Sequence, residues 1–220
     1  MVALFVVSTF VLFIVIDIFV LKAQRKSHPA LEKTPGAVFN KSSIAHPDKV
    51  YISKGHTWAQ KLQDGTVKVG VDDFALKALG RLSVTRIVPE KTKVSQGEVI
   101  LEGTCSGNVF KFRSPVEGTV KAVNESILNR TLTEPFTNGW GIIITPADWE
   151  KNSRVLKTGE SLSAWLKEEF RRMRDFIEVS AVKPELAGVT MHDGGNIVEG
   201  AVANIDASGM ENFEQEFLTF

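Results

Sequence analysis

The sequence contains one residue whose side chain is a thiol, Cys105. A single cysteine cannot form an intramolecular disulfide, which agrees with a reducing compartment. A reactive thiol usually has a basic neighbour that lowers its pKa, and no such residue stands beside Cys105 in the sequence. We therefore expect no redox or nucleophilic role for Cys105.

Histidines and carboxylates could support acid–base or metal chemistry, but their spacing favours neither. The four histidines show no metal-ligand spacing; they are His28, His46, His56 and His192. Asp72 and Asp73 precede a short helical pattern, where such residues cap the helix N-terminus. No Ser-His-Asp arrangement and no phosphate-binding glycine loop occurs. The sequence therefore predicts no catalytic residue and no metal site, and we expect a protein that is not an enzyme.

The first 22 residues predict a transmembrane helix. Residues 1–21 are almost continuously apolar and would form a helix of roughly 30 Å, the thickness of a bilayer core. A cleaved signal peptide would need a basic start and a small-residue cleavage site, and both are absent. The basic residues Lys22, Arg25 and Lys26 follow directly. This flank predicts a single-pass protein of the cell membrane, with its N-terminus outside and its globular domain in the cytoplasm.

Asp17 is an ionisable residue within this apolar segment. Because a charge in the bilayer is costly, such a residue normally faces water or a partner. One interpretation is that Asp17 lies about one turn from the interface and extends towards Lys22. The other is that Asp17 packs against transmembrane helices of partner subunits, and we name it as a candidate partner-binding residue.

Residues 23–48 predict a linker, and residues 49–150 predict a β-rich domain. The linker contains Pro29, Pro35, Gly36 and Pro47 among polar residues, without a sustained period. Short alternating segments between glycines and prolines then predict strands at 50–52, 58–62, 66–71, 82–88, 99–102, 109–113 and 119–123. A short helix is predicted from Asp72 to Gly80. Many short strands with such turns are typical of a sandwich or flattened barrel.

Residues 101–116 predict a β-hairpin at the centre of this domain. Apolar residues lead into a tight turn at Ser106, Gly107 and Asn108, and an alternating strand leads out. On the outgoing strand Phe110 and Phe112 should face one side of the sheet.

Five segments of the domain, in order and at fixed spacing, resemble the glycine cleavage system H protein, a member of the lipoyl-domain families. They are VYISKGHTW, VGVDDFALKALG, VPEKTKVSQGEVI, SPVEGTVKAVNESI and EPFTNGWGIIITPADW. The resemblance covers roughly residues 49–150 and implies a mainly β fold, the barrel-sandwich hybrid. In true H proteins it also implies a lipoyl group, carried on a lysine at the hairpin tip, that shuttles an aminomethyl intermediate between enzymes.

This lysine is missing from the hairpin. In the family it lies three residues after a glutamate and eight before the proline of a Ser-Pro pair. Counting forward from Glu102 gives Cys105, and counting back from Pro115 gives Gly107. The disagreement predicts a lengthened hairpin with no attachment point. The nearest lysine, Lys111, lies on the outgoing strand, where a solvated side chain is expected, so we expect no bound cofactor and no lipoate.

A second departure concerns the segment around His56. The family usually has His-Glu-Trp where this chain has His56, Thr57 and Trp58, so a carboxylate beside the histidine is absent. We expect His56 to be structural. Trp58 and Trp140 are expected in the core, because aromatic side chains of this size stabilise a small barrel.

Residues 151–180 contain an amphipathic helix. Apolar residues recur at three- and four-residue steps after Ser161, and they include Trp165 and Phe170. The helix should pack on the barrel or on a partner, and these two residues are candidate partner contacts. A helix on an anionic membrane surface is the alternative, but Glu168, Glu169 and Asp175 weaken it.

Residues 181–220 predict an extended acidic tail. Its first part is rich in glycine and alanine, and its end is acidic with spaced aromatic residues. We expect the tail to lie across partner subunits, with Phe213, Phe217 and Phe220 as anchors.

These features predict a non-catalytic, membrane-anchored subunit of a larger membrane complex, with the H-protein-like domain as a cytoplasmic docking module. The host complex is expected to be an electron-transfer assembly. The alternative is a membrane-tethered lipoyl carrier in one-carbon or sulfur metabolism, modified at Lys111. A regulatory module that senses lipoylated partners is a third possibility. The net charge of zero argues against nucleic-acid binding.

Overall fold

The computed structural model describes residues 38–39, 44, 47–180, 191–192 and 196–220. The predicted transmembrane segment, including Asp17, and most of the predicted linker lie outside the described residues. Among the residues that are described, no helix is long and apolar enough to cross a membrane.

The largest sheet has six strands: β2 (Tyr51–Ile52), β3 (Thr57–Lys61), β4 (Val67–Val71), β6 (Lys93–Val94), β9 (Gly118–Val123) and β10 (Trp140–Pro146). They are antiparallel, and their order in the sheet is β2-β3-β4-β10-β9-β6. Val67, Val69 and Val71 of β4 and Ile142 and Ile144 of β10 are buried, because alternate residues of each strand point to the same face. The sequence predicts β3, β4 and β9 to within one or two residues at each end.

A second sheet contains the predicted hairpin. Its order is β5-β7-β8, and its strands are β5 (Ser83–Ile87), β7 (Val99–Cys105) and β8 (Asn108–Arg113). Ser106 and Gly107 form a two-residue turn with φ of 49° and 83°, the left-handed values that a tight hairpin turn requires. Cys105 pairs with Asn108 at the end of the ladder. The turn has two residues and the strands extend up to it, so the extra length that was predicted for the hairpin does not lie in the loop.

Helix α1 (Asp73–Leu79) connects the two sheets. Its N-cap is Asp72, whose carboxylate accepts a hydrogen bond from the backbone N–H of Ala75 at 2.9 Å. The helix ends at Gly80, with φ of 77°, as the sequence predicts. A Cβ atom at Gly80 would lie 2.9 Å from the Cα of Gly200, so glycine is needed for both conformation and close approach.

Two further helices follow the two sheets, which together we call the barrel. They are α2 (Trp149–Ser153) and α3 (Gly159–Ser180). The apolar face of α3 is buried on the rest of the domain and contains Leu162, Leu166, Met173 and Ile177. Glu169 is buried on the same face, which is unusual for a carboxylate. The amphipathic helix predicted for this region is therefore present, and it packs on its own chain.

The C-terminal residues correct the predicted extended tail. Strand β12 (Asn196–Val198) pairs with β1 (Val38–Phe39) and with β11 (Met191–His192) in a third sheet. A 3₁₀ turn (Ala201–Asn204) and helix α4 (Ala207–Phe217) follow. Phe213 and Phe217 are fully buried in the chain's own core, so they do not extend outward as anchors; Phe220 is 39% exposed. The apolar residues of this segment, including the small ones, pack against α1, α3 and β8.

Candidate functional site

The hairpin turn is the place where the resemblance puts a modified lysine. Ser106 and Gly107 occupy the turn, and both are exposed. Cys105 is buried as the last residue of β7, and its thiol lies 3.0 Å from the carbonyl oxygen of Leu79. Burial raises the pKa of the Cys105 thiol above its usual value. The turn therefore carries no side chain suited to covalent attachment.

The turn lies beside the C-terminal cap, a name that we use for residues 200–220. The hydroxyl of Ser106 donates to the carbonyl oxygen of Ala203 at 3.2 Å. The amide nitrogen of Asn108 lies 2.9 Å from the sulfur of Met210. These contacts hold the hairpin tip against the cap on both sides of Gly107.

Lys111 lies within β8, away from the turn. It is exposed and pairs across the ladder with Glu102, which also forms an ion pair with Arg86 at 2.9 Å. Glu214 of α4 faces the same part of β8; burial raises the pKa of its carboxyl, and the charge of Lys111 opposes this shift. A groove of about 440 Å³ separates β8 from α4, and its lining includes Val109, Phe110, Met210, Glu211 and Glu214.

A cluster of charged groups is buried at the opposite end of the cap. His56 lies in the turn between β2 and β3, in the left-handed region with φ of 56°. Its Nδ1 lies 2.8 Å from Oδ2 of Asp72, and its Nε2 lies 3.7 Å from Oε1 of Glu169. Its ring stacks on Phe74 with centroids 4.3 Å apart, and Trp165 lies at 5.2 Å. All three polar side chains are almost completely buried.

The two carboxylates keep His56 protonated in the folded protein. Burial alone would lower the pKa of His56, but the charges of Asp72 and Glu169 and the hydrogen bond with Asp72 outweigh this effect and raise it to about 9. The cationic ring can donate from Nδ1 to Asp72 and direct its second N–H towards Glu169. The enclosed Nε2 cannot reach a substrate in this conformation, so the cluster acts within the protein.

Arg172 connects this cluster to the cap. Its Nη1 donates to both carboxylate oxygens of Glu169, at 2.8 and 2.9 Å. Its Nη2 donates to the carbonyl oxygen of Glu216 at 3.3 Å, and its guanidinium lies 4.9 Å from the ring centroid of Phe217.

Sequence reasoning missed Asp72 and Glu169 as partners of His56. Both carboxylates beside His56 come from positions that are distant in sequence. The available signal was Glu169 itself, which stands three residues after Leu166 and four before Met173, on the apolar face of the helix.

The other predicted side chains pack on the domain. Trp58 is buried, with its indole N–H donating to the carbonyl oxygen of Pro135 at 3.1 Å, and Trp140 is partly buried. Phe170 contacts Phe39 with centroids 5.4 Å apart, and, like Trp165, it is only partly exposed. In the described part of the chain, no group of three or more His, Cys, Asp or Glu residues could hold a metal ion.

The barrel, helix α1 and the first half of α3 correspond to a known family. A family model described as Glycine cleavage H-protein matches residues 50–169, more than half of the chain. The chain belongs to the glycine cleavage H-protein family. The H-protein match ends at Glu169, so Arg172 and the cap lie beyond it.

Two H proteins support this assignment by their sequences, and one solved structure is also similar. The probable glycine cleavage system H protein of Pyrococcus horikoshii is 34% identical over 120 residues, which cover 54% of this chain and 90% of that protein. The glycine cleavage system H protein of Salinibacter ruber is 32% identical over 101 residues, which cover 44% of this chain and 81% of that protein. A crystal structure of a glycine cleavage system H protein from Mycobacterium marinum covers 56% of this chain and 99% of its own, with 22% identity and a TM-score of 0.47.

Proposed function

We propose that this member of the H-protein family is a non-catalytic, membrane-anchored accessory subunit of a larger membrane complex. In this proposal the N-terminal segment holds the chain in the membrane, and the H-protein domain is a docking module on the cytoplasmic side. It carries no lipoate and no other cofactor.

The observation that carries the proposal is the hairpin tip, which has no lysine and is held against the cap on both sides of Gly107. A carrier needs a long side chain on an exposed turn, so that the attached group can move between partners. Here the turn consists of Ser106 and Gly107, and Ala203 and Met210 of the cap contact the residues on either side of Gly107. The carrier role that the resemblance implies for true H proteins needs an attachment point that a turn of this kind does not supply.

Lys111 is a poor replacement for the missing lysine. It belongs to a regular strand, four residues beyond the turn, where it pairs across the ladder with Glu102 and lies near Glu214 of α4. A lysine in the middle of a regular strand does not present the mobile tip that a swinging group requires. The alternative function, a membrane-tethered lipoyl carrier, therefore has no feature of the hairpin in its favour.

We assign the contacts with partner subunits to the membrane segment and to exposed side chains of the domain. Asp17 is the candidate within the membrane, where an ionisable group favours a partner helix. The exposed parts of Trp165, Phe170 and Phe220 are the candidates outside it. An electron-transfer assembly remains our proposal for the host complex.

Purification of the full chain from gently solubilised membranes tests the proposal. We expect the chain to migrate as part of an assembly larger than its own mass of 24.2 kDa, with a fixed set of other membrane subunits. Its intact mass should equal that of the unmodified chain. The variant Lys111→Arg, which keeps the charge but cannot be lipoylated, is the matched control.

Two results would contradict the proposal. A mass increment of one lipoyl group that disappears in Lys111→Arg would establish a carrier and reject the accessory role. Recovery of the chain alone, under conditions in which other membrane complexes stay intact, would reject membership of a complex.

A further inference from the structure

Contacts between charged side chains run from the β2–β3 turn, through α3, to the C-terminal cap. We propose that His56, Glu169 and Arg172 form a joint that couples the docking of α3 on the barrel to the docking of the cap beside the hairpin turn. The joint thereby controls whether Ser106 and Asn108, which flank Gly107, are held by the cap. This inference concerns the conformation of the domain and holds with or without a partner complex.

The first step of the joint fixes α3 on the barrel. Asp72 binds His56 through its side chain at 2.8 Å, and its backbone N–H donates to the carbonyl oxygen of His56 at 3.0 Å. Asp72 also caps α1. The imidazole is thus held by the barrel and directs its remaining nitrogen at Glu169 of α3. A carboxylate buried at this position is costly unless charged partners surround it, so α3 docks favourably only where Glu169 meets His56 and Arg172.

The second step connects α3 to α4. Nη1 of Arg172 donates to both carboxylate oxygens of Glu169, and these two charge-assisted hydrogen bonds hold the guanidinium in place. The same guanidinium lies over the ring of Phe217 and donates to the carbonyl oxygen of Glu216. A cation at the C-terminal end of a helix also interacts favourably with the helix dipole. Arg172 therefore binds the end of α4 only in the position that Glu169 sets.

The third step carries the constraint along α4 to the hairpin. Phe217 stacks on Phe213 with centroids 5.1 Å apart, and Phe213 contacts Phe110 of β8 at 6.2 Å. One turn before Phe213, Met210 contacts Asn108 next to the hairpin turn. A displacement of the C-terminal end of α4 is therefore transmitted to the tip through packed side chains.

Hydrogen–deuterium exchange of the full chain in detergent, read by mass spectrometry, tests the coupling. The variant Glu169→Gln keeps the side-chain size and removes the charge, and Glu168→Gln is its neighbour on the exposed face of the same helix. We expect Glu169→Gln to accelerate exchange by about tenfold in peptides that cover α4 and β8, since the loss of one charge-assisted hydrogen bond is worth at least that factor. Exchange in β4 and β10 should stay unchanged, and Glu168→Gln should match the wild type everywhere.

A second pair of variants keeps the test decisive if Glu169→Gln fails to fold. Arg172 has 43% of its side chain exposed, and Arg171, beside it, bonds to Glu168 and Asp175 of its own helix. Arg172→Gln should accelerate exchange in α4 and β8, and Arg171→Gln should not. Equal acceleration across the whole domain would show a loss of global stability alone and would overturn the proposal. Acceleration confined to α3 would overturn it as well.

Discussion

At the scale of single residues, the least expected feature of this chain is a histidine that is buried together with two carboxylates. Asp72 and Glu169 belong to different elements and approach His56 from opposite sides. Removing one member of such a buried cluster leaves the others with uncompensated charge, which is more costly than the loss of a surface ion pair. His56 is therefore a structural residue that is protonated in the folded protein.

The raised pKa of His56 predicts a pH dependence of stability. The folded-state pKa is about 9 and the ordinary value is 6.5, so the folded protein binds one more proton between these values. The free energy of unfolding should therefore fall as the pH rises from 7 to 9, by about 1 kcal/mol per pH unit. Urea denaturation of the full chain in detergent, repeated at several pH values, measures this slope.

The variant His56→Asn separates the histidine from other titrating groups. It should be less stable than the wild type at pH 7, and its stability should vary less between pH 7 and 9. A slope equal to that of the wild type would show that His56 does not carry the extra proton.

Single residues also show where sequence reasoning succeeds and where it stops. Asp72 as an N-cap and Trp58 as a core residue were predicted correctly, because helix capping and aromatic burial depend on local pattern and side-chain size. The partners of His56 could not be predicted in the same way. Glu169 is 113 positions away along the sequence, and only the packing of α3 brings the two together.

At the scale of elements, the C-terminal cap is part of the core. Its 3₁₀ turn lies against α1, and Gly200 donates its backbone N–H to the carbonyl oxygen of Lys77 at 2.7 Å. The strands and the hairpin were predicted because their period and turn residues are local signals. The cap was not predicted, because its alanines, glycines and spaced phenylalanines become buried only when α1, α3 and β8 are already in place.

Replacement of Phe213 by alanine tests whether the cap is integral to the fold. Phe213 is fully buried and contacts rings of α3, α4 and β8. Phe213→Ala should lower the free energy of unfolding by about 3–5 kcal/mol, the usual cost of deleting a buried aromatic ring. Chemical denaturation measures this loss.

The matched control is Phe220→Ala. Phe220 is 39% exposed at the end of the same segment, so its loss should cost less than about 1 kcal/mol. Equal, small effects of the two substitutions would show that the cap contributes little to stability.

At the scale of the whole molecule, an H-protein domain is combined with a predicted membrane segment. We expect deletion of residues 2–22 to move the chain from the membrane pellet to the supernatant after an alkaline wash, because the only predicted spanning segment is removed. Immunoblotting of the two fractions measures the distribution. A chain that stays in the pellet without these residues would contradict the predicted anchor.

Asp17→Asn distinguishes the two interpretations of Asp17. The variant should remain in the membrane in either case, since the segment stays apolar. A contact with a partner helix predicts loss of the larger assembly on native electrophoresis. A side chain directed towards Lys22 at the interface predicts no change.

The small third sheet has a mechanical consequence. Strand β1 pairs with β12 through Val38–Val198 and Phe39–Ile197, and the ring of Phe39 is inserted between Phe74 and Phe170. The first described residues of the chain are thus joined to the strand that leads into the cap. A pulling force applied from the N-terminal side would act on these two residue pairs before it reached the barrel. Phe39 would then resist this force first and so protect the rest of the domain.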